Sequence, residues 1–336
     1  MIDPTELANI LAEAIQIKYE KEVSLENLQV KEERHWFLSS SKTEIEILSP
    51  AIFYALRTLS GVSIADFRSE WGNLFREEDL HERPKSKSVF MLSKTKKYIM
   101  KTISKEESMN LRRILLSYLE YCQVNPQTYL NRYLLLVKIH KKGLGTPYKG
   151  YVVVVRNIFR KAQDVSEVYD LKGRLPKSGT ASKLPPWKLH SYRSRVIEDK
   201  NLVRNFRLSV SSRNEILSQL RSDFEFLCKH NMMDYSLLVG VAKASPKKDN
   251  SRLKDDLDEF NKLAQVLLSE NGEEEFYVGI IDTLSSYNLK KKIAHLFKSL
   301  IWRKECLSTI PPKDYCERII AYSEQIFLSA DSKYSK

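Results

Sequence analysis

Asn231-Met-Met-Asp-Tyr-Ser-Leu-Leu-Val-Gly240 sets a single carboxylate, Asp234, at the edge of an apolar run. A second stretch, Phe276-Tyr-Val-Gly-Ile-Ile-Asp-Thr-Leu284, ends its apolar run on Asp282. Burial disfavours such a charge unless a cation, a metal or a hydrogen-bond donor compensates it. If the two runs are neighbouring strands, both carboxylates converge on one cleft. There one can act on a hydroxyl proton while the other holds a metal, the arrangement that phosphoryl transfer requires.

The rest of the chain is compatible with such a globular body. Its 336 residues are 42% hydrophobic, enough for one large core or two lobes. A net charge of +12 calls for an anionic partner: nucleic acid, acidic lipid or a phosphorylated ligand. Cys122, Cys228, Cys306 and Cys316 have no zinc-site spacing, and the chain starts without a secretory pattern, so reduced thiols in a cytosolic protein are expected. The longest apolar runs, such as Tyr151-Val-Val-Val-Val155, are far short of the roughly 20 residues that span a bilayer. Membrane contact is therefore expected to be peripheral.

Helical spacing after Asp3-Pro4, through Leu7, Ile10, Leu11, Ala14 and Ile15, predicts a one-sided outer helix. Ser49-Pro50 opens another, with Ile52, Phe53, Leu56 and Leu59 ahead of Gly61. Val89 to Leu92 and Tyr98 to Met100 read as a β-hairpin turning at Lys96-Lys97. Ser104 and Glu107 form a capping box for a helix with Leu111, Ile114, Leu115, Tyr118 and Leu119 on one face. Strands are expected at Tyr133 to Ile139 and Gly150 to Val155. Residues 170 to 199, broken by Gly173, Pro176, Gly179, Pro185 and Pro186, read as irregular.

Ser212 and Glu215 suggest a second capping box, opening a helix that buries Ile216, Leu217, Leu220, Phe224 and Leu227. Asp223 falls on that stripe. It is expected either to accept bonds from the loop carrying Asp234 or to lie at an exposed stripe edge. Strands at Ser236 to Val241 and Phe276 to Ile281, a helix around Phe260 to Leu268, and a last helix from Pro312 complete the pattern.

Lys101 ends the Tyr98-Ile-Met100 run and Glu107 lies on the next helix, so the pair has the makings of a phosphate-binding Lys–Glu couple. The competing reading keeps Lys101 on the surface and Glu107 in its capping box. Lys172, beside Gly173, can reach a phosphate from a glycine turn. Three stretches, Arg83 to Lys101, Lys172 to Arg195 and Lys290 to Lys304, hold seven, seven and six Lys or Arg and no acid, which suggests one anion-facing surface. The last also carries Ile293, Leu296, Phe297, Leu300, Ile301 and Trp302, which suits an acidic membrane interface as well as an ordinary packed helix. No nucleic-acid-binding signature accompanies the charge, and no nucleic acid is expected as partner.

Taken together, Met100-Lys-Thr-Ile103 with Glu107, Asn125-Pro126, Val155-Arg-Asn-Ile-Phe159, Asp170-Leu-Lys-Gly173, Met233 to Gly240 and Gly279-Ile-Ile-Asp-Thr-Leu284 resemble the phosphatidylinositol phosphate kinase family in order and spacing. The resemblance implies an α+β fold of two lobes, 1–157 and 158–336, each with an antiparallel sheet, and a cleft between them. It implies transfer of the ATP γ-phosphate to an inositol hydroxyl of a phosphatidylinositol monophosphate at the cytosolic face of a membrane. Lys101 would bind nucleotide phosphates, supported by Glu107. Val155, Asn157 and Phe159 would line the adenine site, and Lys172 would contact phosphate. Asp234 would be the catalytic aspartate and Asp282 the Mg2+ ligand.

Thr283 to about Ile310 would be the loop that meets the membrane and selects the lipid, with Lys290, Lys291, Lys292 and Ala294 at the substrate. By the same resemblance, Ala294 where relatives acting on the 4-phosphate lipid carry Glu leans toward a 5-phosphate substrate and a 4-kinase. A 4-phosphate 5-kinase, or a catalytically weak lipid-binding scaffold of the same fold, are the alternatives. The scaffold reading is motivated by Arg83-Pro-Lys-Ser-Lys-Ser-Val89, which lacks the glycines of the family's loop. Arg174 stands where the family has serine, and Glu198 where it has lysine. The N-terminal helix would serve a homodimer, as in some relatives, or cover its own sheet.

Overall fold

A computed structural model describes residues 36–40, 43–71, 80–82, 89–141, 148–159, 165–174, 196–244, 266–288 and 309–331. The expected helix after Asp3-Pro4, the segment Arg83 to Ser88 and the basic run Lys290 to Lys304 lie outside them. The chain divides into two compact units, and the described residues of the first are those from 36 to 126 and from 131 to 159.

In the first unit, strands β1 (Trp36–Ser40) and β2 (Thr43–Ile47) form a hairpin. Helices α1 (Pro50–Leu59) and α2 (Ile64–Ser69) follow, then β3 (Leu80–Glu82), β4 (Val89–Leu92) and β5 (Tyr98–Ile103). Helix α3 (Lys105–Val124), β6 (Tyr133–Lys141) and β7 (Tyr148–Arg156) complete it. The sheet order is β1-β2-β6-β7-β5-β4-β3, and every pairing is antiparallel. Leu134 to Val137 of β6 are all buried, as a strand covered on both faces must be. Phe67, Trp71 and Tyr98 pack in one aromatic group over Leu135, Val137, Val152 and Val154. On α3 the stripe Leu111, Ile114, Leu115, Tyr118 and Leu119 is buried as the 3.6-residue period requires.

Pro50 at the start of α1 has the fixed φ that suits a first helical turn, and Gly61, at φ 62°, follows its end. Arg57 is the one cation buried on this helix, and its Nη1 donates to Leu134 O at 2.8 Å while the guanidinium lies 5.6 Å from the Phe67 ring centroid.

The second unit comprises the described residues 127–130 and 165–331. Its sheet holds β8 (Val165–Leu171), β9 (Val196–Glu198), β11 (Ser236–Lys243), β12 (Val266–Leu268) and β13 (Glu274–Ile281), in the order β12-β13-β11-β8-β9. Helices α4 (Val210–Lys229) and α5 (Pro312–Ile326) pack against each other. Two-residue strands β10 (Phe206–Arg207) and β14 (Phe327–Leu328) pair in parallel. Every residue of β11 up to Ala242 is buried, which explains the unbroken apolar run after Ser236. No helix among the described residues is long and apolar enough to cross a membrane.

Five expectations need correction. The sheet here is mixed, because β8 and β9 run parallel. Residues 170 to 199 are not wholly irregular: Asp170 and Leu171 end β8, and β9 occupies 196–198. The described end of the region expected to be helical at 260–268 is the edge strand β12, bonded to β13. Helix α4 starts earlier than the Ser212–Glu215 box: Ser209 is the N-cap, its Oγ accepting from Ser212 N at 3.2 Å, while Glu215 takes a bond from Ser211. Leu217 is only half-buried on that helix, and Phe226 takes a buried place.

Asp223 is fully buried, which removes the exposed-edge reading. Its donors include Thr128 Oγ1 at 2.6 Å, Tyr129 N at 2.7 Å and Gln219 Nε2 at 2.9 Å. The backbone amide thus comes from residues 127–130, a segment distant in sequence that also bonds Ile280 N through Tyr129 O.

Candidate active site

Strand register brings three of the sequence motifs to one end of the second sheet. Leu171 of β8 pairs with Leu237 of β11, and Ser236 of β11 pairs with Ile281 of β13. Because both pairings are antiparallel, the C-terminal ends of β8 and β13 flank the N-terminal end of β11. Lys172, Asp234 and Asp282 lie one or two residues beyond those paired positions.

The carboxylates are held in unusual backbone geometry. Asp234 has φ 63° and Asp282 has φ 57°, both in the left-handed region that non-glycine residues enter at a cost of roughly 1–3 kcal/mol. Asn231, at φ 61°, bends the chain three residues before Asp234. The loops are tied together past their carboxylates: Met233 N donates to Ser285 O at 2.9 Å, Tyr287 N to Asn231 O at 3.0 Å, and Asn231 Nδ2 to Tyr287 O at 3.3 Å. The Asp234 side chain is one-third exposed, and Asp282 is exposed.

Lys172 Nζ donates to Asp234 Oδ1 at 2.8 Å and to Asp234 O at 2.7 Å. From the other side, Tyr315 of α5 donates its hydroxyl to the carbonyl of Tyr235. Burial pushes the Tyr315 phenol well above its ordinary pKa, and the Asp234 charge adds to that. Tyr315 therefore stays a neutral donor. Sequence alone placed Tyr315 only on a packed helical face. Asp199 stood there only as the last residue of the stretch 170 to 199 read as irregular; its carboxylate accepts from the backbone of Lys172 and Gly173, each at 2.8 Å.

The first unit holds the remaining residues. Lys101 is central in β5, opposite Phe90 and Val153, and its Nζ is 5.4 Å from the Phe90 ring centroid. Glu107 closes the capping box, accepting from Ser104 N at 2.8 Å while its own N–H donates to Ser104 Oγ at 3.1 Å. Val155 pairs with Ile99 next to the end of β7. Asn157 is buried, with Nδ2 donating to Lys96 O at 2.8 Å and Oδ1 accepting from Phe159 N at 3.0 Å. Together with Glu70, which accepts from Thr95 N at 2.9 Å, it fixes the β4–β5 turn and so the strand that carries Lys101. Lys290, Lys291, Lys292 and Ala294 lie outside the described residues.

Residues 75–267 and 254–326 match the family model described as Phosphatidylinositol-4-phosphate 5-Kinase. The chain belongs to this family. Its relatives carry the names of phosphatidylinositol phosphate kinases of more than one kind. A probable phosphatidylinositol phosphate kinase of Dictyostelium discoideum is 29% identical over 80% of this chain and 46% of its own length. The phosphatidylinositol 4-phosphate 5-kinase its3 of Schizosaccharomyces pombe is 26% identical over 82% of this chain and 45% of its own length. A phosphatidylinositol 5-phosphate 4-kinase type-2 gamma of Danio rerio is 25% identical over 90% of this chain and 82% of its own. This family member spans about half the length of the first two. Both regiochemical names occur at near-equal identity.

Among its described residues no group of three or more His, Cys, Asp or Glu forms a metal cage. Magnesium bound with a nucleotide needs only one or two carboxylates, the phosphates and water supplying the other oxygens. The exposed, hard-oxygen donor Asp282 fits that requirement.

Proposed function

We propose that the chain is a lipid kinase that transfers the γ-phosphate of ATP to an inositol hydroxyl of a phosphatidylinositol monophosphate, giving the bisphosphate. The observation that carries this reading is the meeting of Lys172, Asp234 and Asp282 at one end of the β8-β11-β13 sheet. In it Asp234 orients or deprotonates the inositol hydroxyl, with Lys172 holding its carboxylate. Asp282 holds Mg2+, which would neutralise charge on the phosphates. Lys101 from the first unit binds nucleotide phosphates, and the chain next to Val155, Asn157 and Phe159 takes the adenine. In this reading 1–157 and 158–336 are the two kinase lobes.

The substrate leans to phosphatidylinositol 5-phosphate, phosphorylated at the 4-hydroxyl, on the strength of Ala294 and of the similarity to a 5-phosphate 4-kinase. The second reading, a 4-phosphate 5-kinase, is favoured by the names of several other relatives. Contact with the anionic cytosolic leaflet is assigned to Lys290 to Lys304, each basic residue near such a surface contributing on the order of 1 kcal/mol. Labelled ATP, Mg2+ and vesicles holding either monophosphate test all of this together. Product from the 5-phosphate lipid alone is expected. Product from the 4-phosphate lipid alone reverses the regiochemistry, and label in neither lipid refutes the kinase.

A further inference from the structure

We propose that Asp199 is a positioning residue for Asp234, acting through Lys172; the proposal rests on the kinase reading above. The Asp199 side chain is only 4% exposed. Its Oδ1 receives the N–H groups of both Lys172 and Gly173 at 2.8 Å, and its Oδ2 lies 3.4 Å from Arg174 Nε. One oxygen receiving two successive amides sets the direction of the turn that launches the Lys172 side chain.

The opposite side of the turn is equally confined. Gly173 has φ +65°, and a Cβ placed on it would lie 3.1 Å from Cβ of Tyr322 on α5. The turn is thus seated between Asp199 and α5, and the lysine it carries ends in two bonds on Asp234. A lysine side chain with several rotatable bonds holds such a place only if its root is fixed. The chain Arg174–Asp199–Lys172–Asp234 supplies that root without Asp199 touching substrate.

Two substitutions separate position from charge. Asp199→Asn keeps an acceptor oxygen where Oδ1 stands and loses the charge. Asp199→Glu keeps the charge and moves the oxygens by one methylene. Lipid phosphorylation by the full chain, on vesicles of either monophosphate, is expected to fall less than about threefold in kcat for Asp199→Asn. For Asp199→Glu, kcat should fall about tenfold or more, with KM for ATP within about twofold of wild type. Placed on a Lys172→Met background, Asp199→Glu should add less than about twofold.

A milder effect for Glu than for Asn overturns the proposal, because charge and not position would then matter. A loss that multiplies on Lys172→Met also overturns it, because the effect would not pass through the lysine. A wild-type chain that labels neither lipid refutes the kinase reading, and this proposal with it, before any variant is compared.

Discussion

Ser236 pairs with Ile281 across β11 and β13, and that register sets Asp234 and Asp282 beside each other's strand ends. Side chains alternate along a strand, so a slip of one residue would exchange the side chains that β11 sends to the two faces of its sheet, both of them closely packed. The apolar core therefore enforces the placement of two residues that themselves contribute little to burial. The strained φ values fall on those two residues, where a left-handed turn ends each strand's pairing and aims a carboxylate.

The two carboxylates should fail differently. Asp234→Asn is expected to lower kcat by roughly 10²–10⁴-fold at any Mg2+ concentration, as loss of a general base does. Asp282→Asn should instead raise the Mg2+ concentration for half-maximal rate by roughly tenfold or more, with part of the rate recovered at high Mg2+. Titrating Mg2+ against lipid phosphorylation checks both. Recovery of Asp234→Asn by Mg2+ would reverse the assigned roles.

Gly173→Ala should destabilise the second unit by about 1–3 kcal/mol, through the φ of +65° and the close approach of Tyr322. Tyr322→Gly, which removes that Cβ, separates the two causes. The double variant Gly173→Ala/Tyr322→Gly is expected to remain less stable than Tyr322→Gly alone, because the backbone angle still disfavours alanine. Urea unfolding gives the comparison, and equal midpoints would show that the turn adapts freely.

Much of this organisation is legible in the residues, and the failures have physical causes. The β4–β5 hairpin, the Ser104–Glu107 capping box and the Leu111 to Leu119 stripe follow from local period and capping, and local rules decide them. Lys172 was visible as a lysine beside glycine, but its bond to Asp234 depends on β8 pairing with β11, a contact 62 residues apart in the chain. Asp199 gave no local signal, since its partners are backbone amides 27 and 26 residues earlier, brought to it by the parallel pairing of β8 with β9. Ser212 matched the capping-box pattern, yet Ser209 lies one turn earlier and took the cap. Asp223 was legible as a buried carboxylate, whereas its backbone donor lies 94 residues earlier.

That donor makes Asp223 a test of how residues 127–130 are held. Asp223→Ala leaves Thr128 Oγ1 and Tyr129 N without the acceptor they meet at 2.6 and 2.7 Å. A loss of about 2–4 kcal/mol is expected from stranding two buried donors, and a smaller one for Asp223→Asn. Thr128→Val should cost less once Asp223 is alanine than on the wild type, because the bond the two share is then already gone and only the one Thr128 Oγ1 accepts from Leu130 N is still to be lost. Denaturant unfolding of the single and double variants measures the coupling; fully additive losses would contradict it.

Stability should fall on the alkaline side for a reason that can be assigned to α4 and α5. Burial pushes the Cys316 thiol of α5 up to about 12, and burial also raises the Cys228 thiol of α4. An unfolded thiol loses its proton near pH 8.5. Above that pH the unfolded chain binds fewer protons than the folded one, so stability decreases as pH rises. The contribution is complete below about pH 8.5 and is lost progressively toward pH 12. The buried phenols Tyr118, Tyr235 and Tyr315, also raised by burial, steepen the decline at the upper end. Urea midpoints of wild type and Cys316→Ala, followed from about pH 7 to about pH 10.5, should diverge at neutral pH and converge as pH rises, since alanine has no proton to lose. Parallel curves would show that the thiol titrates alike in both states.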